Sequence, residues 1–337
     1  MSRADRPKQL VPLVGDRTLV AETLDRIAPL IEVRRSVVMT SAAHRDRMLA
    51  ELPGIEPSRV VGEPRGRNTA PAIALAARVL LSADPDASLA VLPADHVVAD
   101  VDAFRRVMAL AFTAAESERA LVTLGIRPTR PETEYGYVLA GAETGLAGVF
   151  EVARFEEKPD RARAESFLES GGYYWNSGMF VWRADRFLEE VSAHLPDVAR
   201  ALDGVRALPG ESSFESEVAG FYERAPGISV DYGVMERATG VLVVPAEFGW
   251  DDVGSWTALS RVWGKGESGN TIRGPVVALD SDDCVLYSEG GTLAVIGLDG
   301  LVVAHTEAGT LVCPADRARD VRSIVEELKR KGILEDR

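Results

Sequence analysis

The run RNTAPAIALAARVLLSADPDASLAVLPADH, residues 67–96, decides the fold class. Its first half repeats apolar residues at helical spacing, with Asn68 or Thr69 placed to cap and Pro71 tolerated in the first turn. Its second half, SLAVLPADH (88–96), is an apolar strand that ends in polar residues. RVVGEP (59–64) supplies a strand in front, so the unit reads strand, helix, strand. The same alternation extends outward. TLVAETLDRIAPLI (18–31) has helical spacing, SVVMT (36–40) is a short strand, and AAHRDRMLAEL (42–52) is a helix. Downstream, VDAFRRVMALAFTAAES (101–117) reads as a helix and ALVTLGI (120–126) as a strand. Such alternation predicts α/β architecture with a largely parallel sheet.

From about residue 130 the pattern loosens to α+β, with strands over YGYVLAG, VFEVARFEEKP and YYWNSGMFVWRA and helices near 160–170 and 184–194. After GSWTALSRVWGKG it changes again. Residues 274–314 are short strands broken by Gly and Asp turns, closed by the amphipathic segment RARDVRSIVEELKRKG (317–332). This predicts a small β-rich domain; no clean hexapeptide repeat marks it as a regular solenoid. The Gly-rich GKGESGN (264–270) is the expected boundary, giving domains 1–263 and 270–337.

Composition narrows the function. The net charge of -14 argues against a nucleic-acid partner, although a small anion remains compatible with it. No apolar run approaches the roughly 18 residues of a membrane span. The N-terminus lacks an apolar signal segment, which points to the cytoplasm. Cys284 and Cys313 are too few for a disulfide framework or a zinc site and read as small strand hydrophobes. Only five of the 38 basic residues are lysines, so Lys8 and Lys158, each inside a dense motif, stand out. Lysine is a compact charge on a flexible stem, suited to a phosphate oxygen that shifts during reaction.

Several segments have chemical potential. Asp95 in LPADH stands where a strand meets its loop, at the sheet edge where open α/β folds bind ligands, although it also reads as a cap or turn. GWDDVGSW (249–256) places two adjacent acids among tight-packing residues, where they need partners, a metal or water. One of them paired with Asp95 would make a two-carboxylate magnesium site completed by substrate phosphates. DSDD (280–283) is a rival acidic cluster that reads better as a solvated turn. In FEEKP (155–159), Glu157 and Lys158 cannot face the same way within a regular strand, and the break at Pro159 relaxes this. Asn176 in YYWNSGMF offers an amide for a sugar hydroxyl, and Gly136 in TEYGYV a close backbone approach. Arg65, Arg67, Asn68 and Thr69 precede a helix N-terminus, a place for an anion or a nucleobase edge.

In their order, RPKQLVPL, EPRGRNTAPAIALAA, LPADH, LGIRPTRPETEYGYV, FEEKPD, YYWNSGMFVW, SVDYGVMERA and GWDDVGSW resemble the mannose-1-phosphate guanylyltransferases, from Arg6 to the end of the chain. The resemblance implies a Rossmann-like nucleotidyltransferase fold with a mixed, mostly parallel sheet, followed by a β-prism or β-helix-like domain and a terminal helix. It implies transfer of GMP from GTP to mannose 1-phosphate with Mg2+, giving GDP-mannose and pyrophosphate. By motif, Asp95 and Asp252 are the implied metal ligands, the D-x-G pattern selecting Asp252 over Asp251. Lys158 is implied at the sugar phosphate, Glu157, Gly136 and Asn176 at the hexose, and Lys8 at nucleotide phosphates. Arg67, Asn68 and Thr69 are implied on the guanine side. The β-rich tail is available to pack on the catalytic domain or to form a homodimer interface.

Members of that family carry an apolar strand and a glycine-rich loop, GGxGTRLWP, before the segment that here begins Met1-Ser2-Arg3. A sheet without that strand is expected to be gapped, since each lost Val, Ile or Leu forfeits roughly 1.5–3 kcal/mol. A start codon placed further upstream explains this, as does a shortened relative that binds sugar phosphate without catalysis. Another base and sugar 1-phosphate is the remaining alternative.

Overall fold

Asn68 opens the helix Thr69–Ala83, its side-chain oxygen accepting from Thr69 N at 2.9 Å. Residues 70–75 are all buried, so this helix belongs to the interior rather than to a solvated face. The computed structural model in which this is seen describes residues 7–333, the Arg322 side chain apart. Arg6 and the residues before it, which open the RPKQLVPL motif, lie outside the described residues, as do 334–337. The chain divides into two compact units: Val20–Ala94 with Val98–Trp250, and the residues up to Leu19 with Asp95–Val97 and Asp251 onward.

The first unit is built on a six-stranded sheet in the order Ser88–Val91, Tyr173–Arg183, Leu121–Ile126, Val241–Ala246, Phe150–Glu156, Tyr137–Glu143. Leu121–Ile126 runs parallel to Val241–Ala246. The long strand Tyr173–Arg183 runs antiparallel to Ser88–Val91, to Leu121–Ile126 and, at its start, to Tyr137–Glu143. The sheet is therefore mixed, and less parallel here than the sequence alternation predicts, because the eleven-residue Tyr173–Arg183 runs antiparallel to three neighbours and Phe150–Glu156 to two. A separate parallel pair joins Val38–Ser41 to Val60–Glu63.

Alternation along the strands sorts side chains to the two faces. Leu121, Phe180, Trp182 and Val241 join a core with the helix Thr69–Ala83 and with Phe187, Val198 and Phe221. Val122, Leu124, Met179, Val181, Leu242 and Val244 join Phe104 and Met108 of the helix Val101–Ser117, with Phe248. Every residue of Leu121–Ile126 is buried, as a strand covered on both sides requires. Asp100 caps Val101–Ser117, its Oδ1 accepting from Ala103 N at 2.8 Å.

In the second unit, Thr271–Arg273, Val285–Ser288 and Leu301–Thr306 stack in parallel, and Val276–Leu279 does so on Leu293–Ile296. The closing strand Gly309–Pro314 is antiparallel to Leu301–Thr306. The tail is thus a β-helix-like coil around Cys284, Leu286, Val295 and Val303. The DSDD acids turn the chain between coils, Asp283 pairing with Lys265 at 3.0 Å. Cys284 and Cys313 are both free, and Cys284 is a buried core residue. The amphipathic segment at the end is a 3-10 turn, Ala315–Asp320, followed by the helix Val321–Arg330. Among the described residues no helix is long and apolar enough to cross a membrane.

Candidate active site

In the second unit, Lys8 begins a short 3-10 turn, Lys8–Leu10, and Leu10, Val11 and Leu13 are buried. Val11 and Leu13 pack with Val97, Val253, Ala258 and Leu259, and Trp263 Nε1 donates to the Leu13 carbonyl at 2.5 Å. The apolar residues after Lys8 are thus the anchor that holds its ammonium in place. Lys8 Nζ donates to Asp95 Oδ2 at 3.1 Å and to the main-chain carbonyl of Asp252. His96 Nε2 lies 3.9 Å from Asp95 Oδ1.

The adjacent acids of GWDDVGSW divide their work. Asp251 is buried, and its carboxylate accepts from Arg261 Nε at 2.6 Å and from Val253 N at 2.8 Å. Val253 has φ 47°, a left-handed backbone that a β-branched residue adopts only under constraint. That turn separates Asp252 from its neighbour and leaves Asp252 Oδ1 accepting from Gly254 N at 3.2 Å. Two acids from distant parts of the sequence therefore meet at the Lys8 ammonium, Asp95 through its carboxylate and Asp252 through its main-chain carbonyl. Among the described residues no group of three or more His, Cys, Asp or Glu is placed to hold a metal. Asp95 and Asp252 are both hard oxygen donors of the kind a divalent ion takes; the Asp95 carboxylate lies on the Lys8 ammonium and the Asp252 carboxylate on Gly254 N.

In the first unit, the strand Phe150–Glu156 stops one residue short of Glu157, and Lys158 follows with φ 48°. This break frees Glu157 and Lys158 from strand alternation. Glu157 N donates to Glu236 Oε1 at 3.0 Å. Its side-chain Oε2 is buried and makes no hydrogen bond. A Cβ on Gly136 would stand 2.3 Å from that oxygen and 3.2 Å from the Asn176 Cβ. Gly136, Glu157 and Asn176 therefore converge, and a Cβ added at Gly136 would have to push the Glu157 carboxylate aside. Burial pushes the Glu157 carboxyl up to about 7, with the Asp231 charge adding to it, Lys158 opposing it and Glu236 adding a little more.

Asn176 is buried in Tyr173–Arg183 at a shift of register opposite Gly125. Such an irregularity re-aims a side chain. Its Oδ1 accepts from Thr123 Oγ1 at 3.0 Å and Gly178 N at 3.2 Å, and its Nδ2 donates to Asp231 Oδ1 at 2.8 Å. Burial also raises the Asp231 carboxyl, while the Asn176 hydrogen bond and Lys158 lower it.

Arg67, Asn68 and Thr69 also lie together in the first unit, with their side chains engaged by the protein. Arg67 Nε donates to the Tyr222 carbonyl at 3.0 Å, Thr69 Oγ1 accepts from Val230 N at 2.8 Å, and Asn68 is the helix cap. These bonds tie the start of Thr69–Ala83 to residues 222–230. Arg65 is exposed.

Asp231, Glu236 and Thr123 belong to this surrounding and were not singled out in the sequence. Asp231–Met235 is a turn of π-helix, with Glu236 N donating to the Asp231 carbonyl at 3.0 Å. That wider turn brings residues five apart together, which α-helical spacing does not reveal. The visible signal was the pair of acids flanking an apolar run in SVDYGVMERA.

Residues 3–267 match the nucleotidyl transferase family, and residues 274–328 match the MannoseP isomerase/GMP-like β-helix domain. The chain is 40% identical to the alginate biosynthesis protein AlgA of Pseudomonas aeruginosa, covering 99% of this chain and 70% of that protein. It is 39% identical to a protein of Escherichia coli K12 named mannose-1-phosphate guanylyltransferase, over 100% of this chain and 72% of that one. A solved structure from Thermus thermophilus, described as a mannose-1-phosphate geranyltransferase, superposes with a TM-score of 0.88 at 41% identity. That likeness covers 97% of this chain and 94% of the other.

Proposed function

We propose an activity for this protein from the premise that the chain belongs to the nucleotidyl transferase family. The reaction is that of a mannose-1-phosphate guanylyltransferase: GTP and mannose 1-phosphate give GDP-mannose and pyrophosphate. The observation that carries this reading is the likeness over essentially the whole chain to the E. coli protein of that name. The geometry supports it, since one group of residues offers charge for phosphates and another offers polar groups for a sugar. Residues 1–263 carry catalysis in this account and 270–337 form the accessory β-rich domain.

A phosphate oxygen of mannose 1-phosphate attacks the α-phosphorus of GTP in line, and the bond from that phosphorus to the α–β bridging oxygen breaks as pyrophosphate leaves. The attacking oxygen is already ionised at neutral pH, so no general base is needed. Lys8, held between Asp95 and Asp252, donates to nucleotide phosphate oxygens and offsets their crowded charge. Asp95 and Asp252 would hold Mg2+, which when bound neutralises phosphate charge and fixes the phosphates for displacement. Lys158 meets the sugar phosphate, while Glu157, Asn176 and the backbone at Gly136 meet the hexose. Arg67, Asn68 and Thr69 stand on the guanine side. The protein works in the cytoplasm in this reading. A homodimer would cover the exposed row of Val277, Leu279 and Ile296 on the tail.

The test incubates the purified protein with Mg2+ and a panel of nucleoside triphosphates and sugar 1-phosphates, measuring pyrophosphate and nucleotide sugar. GTP with mannose 1-phosphate is expected to be the fastest pair. Faster turnover of UTP with glucose 1-phosphate overturns the assignment. Binding of mannose 1-phosphate without pyrophosphate release overturns the catalytic reading.

A further inference from the structure

Three carboxylates, those of Glu157, Asp231 and Glu236, lie within electrostatic reach of one another, with Lys158 the cation that acts on the first two. An arrangement rich in acceptors suits a ligand rich in hydroxyl donors. The Asn176 carboxamide sits among them with its orientation settled by three hydrogen bonds. Thr123 and Gly178 give to its oxygen, and its nitrogen gives to Asp231. One N–H of that nitrogen is left over, on a residue packed beside the Gly136 backbone that Glu157 Oε2 also approaches. Were the amide flipped, its oxygen would face the Asp231 carboxylate and its NH2 would face the Gly178 N–H; both contacts repel.

We infer that Asp231 is a positioning residue of the hexose subsite, fixing the Asn176 carboxamide so that its second N–H is presented to a sugar hydroxyl beside Glu157. This rests on the proposed function, and it concerns a residue that the sequence reading did not single out. Asp231 does not contact the reacting phosphates; it acts through Asn176. A neutral acceptor could also hold that amide, but a carboxylate here has a second effect, because it opposes ionisation of Glu157. The groups facing Glu157 are Asp231 and Glu236, which keep its proton on, and Lys158, which favours its loss; the Tyr232 phenol lies in the same field.

The experiment compares wild-type protein with Asp231→Ala, Asp231→Asn and Thr123→Val. It measures kcat and KM for mannose 1-phosphate and for GTP between pH 5.5 and 8.5, with calorimetric binding of mannose 1-phosphate alone. Asp231→Ala is expected to raise KM for mannose 1-phosphate about tenfold, one good hydrogen bond's worth, with KM for GTP essentially unchanged. Asp231→Asn keeps an acceptor for Asn176 and is expected to recover most of that loss. It is also expected to move the pH midpoint of KM downward, because the charge opposing Glu157 ionisation is gone. A merely structural role would change both KM values together and leave the midpoint in place. Either that pattern or an unchanged KM in Asp231→Ala overturns the inference. Should Asp231→Ala fail to fold, Asp231→Asn decides by its pH midpoint, which if unmoved overturns the inference. Thr123→Val, which removes a donor to the Asn176 oxygen, then decides by whether KM for mannose 1-phosphate rises without that for GTP. A wild type that binds no mannose 1-phosphate and turns over another hexose 1-phosphate overturns the proposed function, and the same variants then test Asp231 on that sugar.

Discussion

Replacing Glu157 by Gln should change the pH dependence of stability in a direction set by the environment of this side chain. The Glu157 carboxyl stands at about 7 in the folded protein against an ordinary 4.5, chiefly through burial and then through Asp231. Below pH 4.5 it is protonated whether the chain is folded or not, so it contributes no difference. Between 4.5 and 7 the unfolded chain releases its proton while the folded chain keeps it, so stability falls as pH rises. Above pH 7 the deficit is complete, about 3 kcal/mol at about 1.36 kcal/mol per pH unit. Glutamine has the neutral shape and no proton to lose. Relative to wild type, Glu157→Gln should therefore be near neutral at about pH 4 and more stable by about 2–3 kcal/mol at about pH 8. In a domain of this size that is a rise in melting temperature of about 5–10 °C. Urea denaturation at half-unit pH steps measures the difference directly. Two stability curves that run parallel across this whole pH range refute the reasoning, because they mean Glu157 titrates alike in both states.

Asp251→Ala should lower stability by about 1–3 kcal/mol, since it removes an acceptor of Arg261 and the acceptor of the Val253 N–H; an unchanged urea midpoint contradicts this. Asp252→Ala, by contrast, should abolish GDP-mannose formation with the fold largely intact, and retained turnover removes Asp252 from the site. Lys8→Ala should cut kcat by about 10²–10³-fold, as for loss of one charge-stabilising donor, and a smaller loss than tenfold assigns Lys8 a structural role. Lys158→Ala should chiefly raise KM for mannose 1-phosphate, and unchanged kinetics reject its contact with the sugar phosphate. Gly136→Ala should weaken sugar binding by driving Glu157 Oε2 from its place; undiminished binding shows that the pocket is roomier than its geometry.

The parts of the fold that a periodic pattern encodes were legible in the residues. A cap at Asn68 or Thr69, the helix over 101–117 and the run of short strands in the tail each follow from local spacing, whereas the choice of Asn68 and the coiling of those strands are seen only in the structure. Strand direction did not, because pairing is set at long range: the antiparallel run of Tyr173–Arg183 against Leu121–Ile126 joins segments some fifty residues apart. Gly136, Glu157 and Asn176 were grouped at one hexose by resemblance alone, since nothing in their own spacing joins them; the break after Glu156 and the shift of register at Asn176 are what the structure adds. Asp231 stayed hidden for a physical reason. Its alignment with Glu236 depends on a π-turn, which has no sequence period of its own. For the two acids of GWDDVGSW the choice of Asp252 came from motif likeness alone; the structure adds that the Asp251 carboxylate accepts from Arg261 and Val253.

The central claim is that Asp95 and Asp252, gathered by Lys8, handle the nucleotide phosphates together with a divalent cation. The most direct measurement is pyrophosphate release as a function of Mg2+ concentration, in wild type and in Asp95→Asn, at saturating GTP and mannose 1-phosphate. The account predicts a saturable Mg2+ requirement in the wild type and, in the variant, a half-saturating concentration raised about tenfold or more, at least the cost of losing a group that only orients a ligand. Mannose 1-phosphate affinity in the absence of GTP should be unchanged. An identical Mg2+ response in the two proteins would contradict the account.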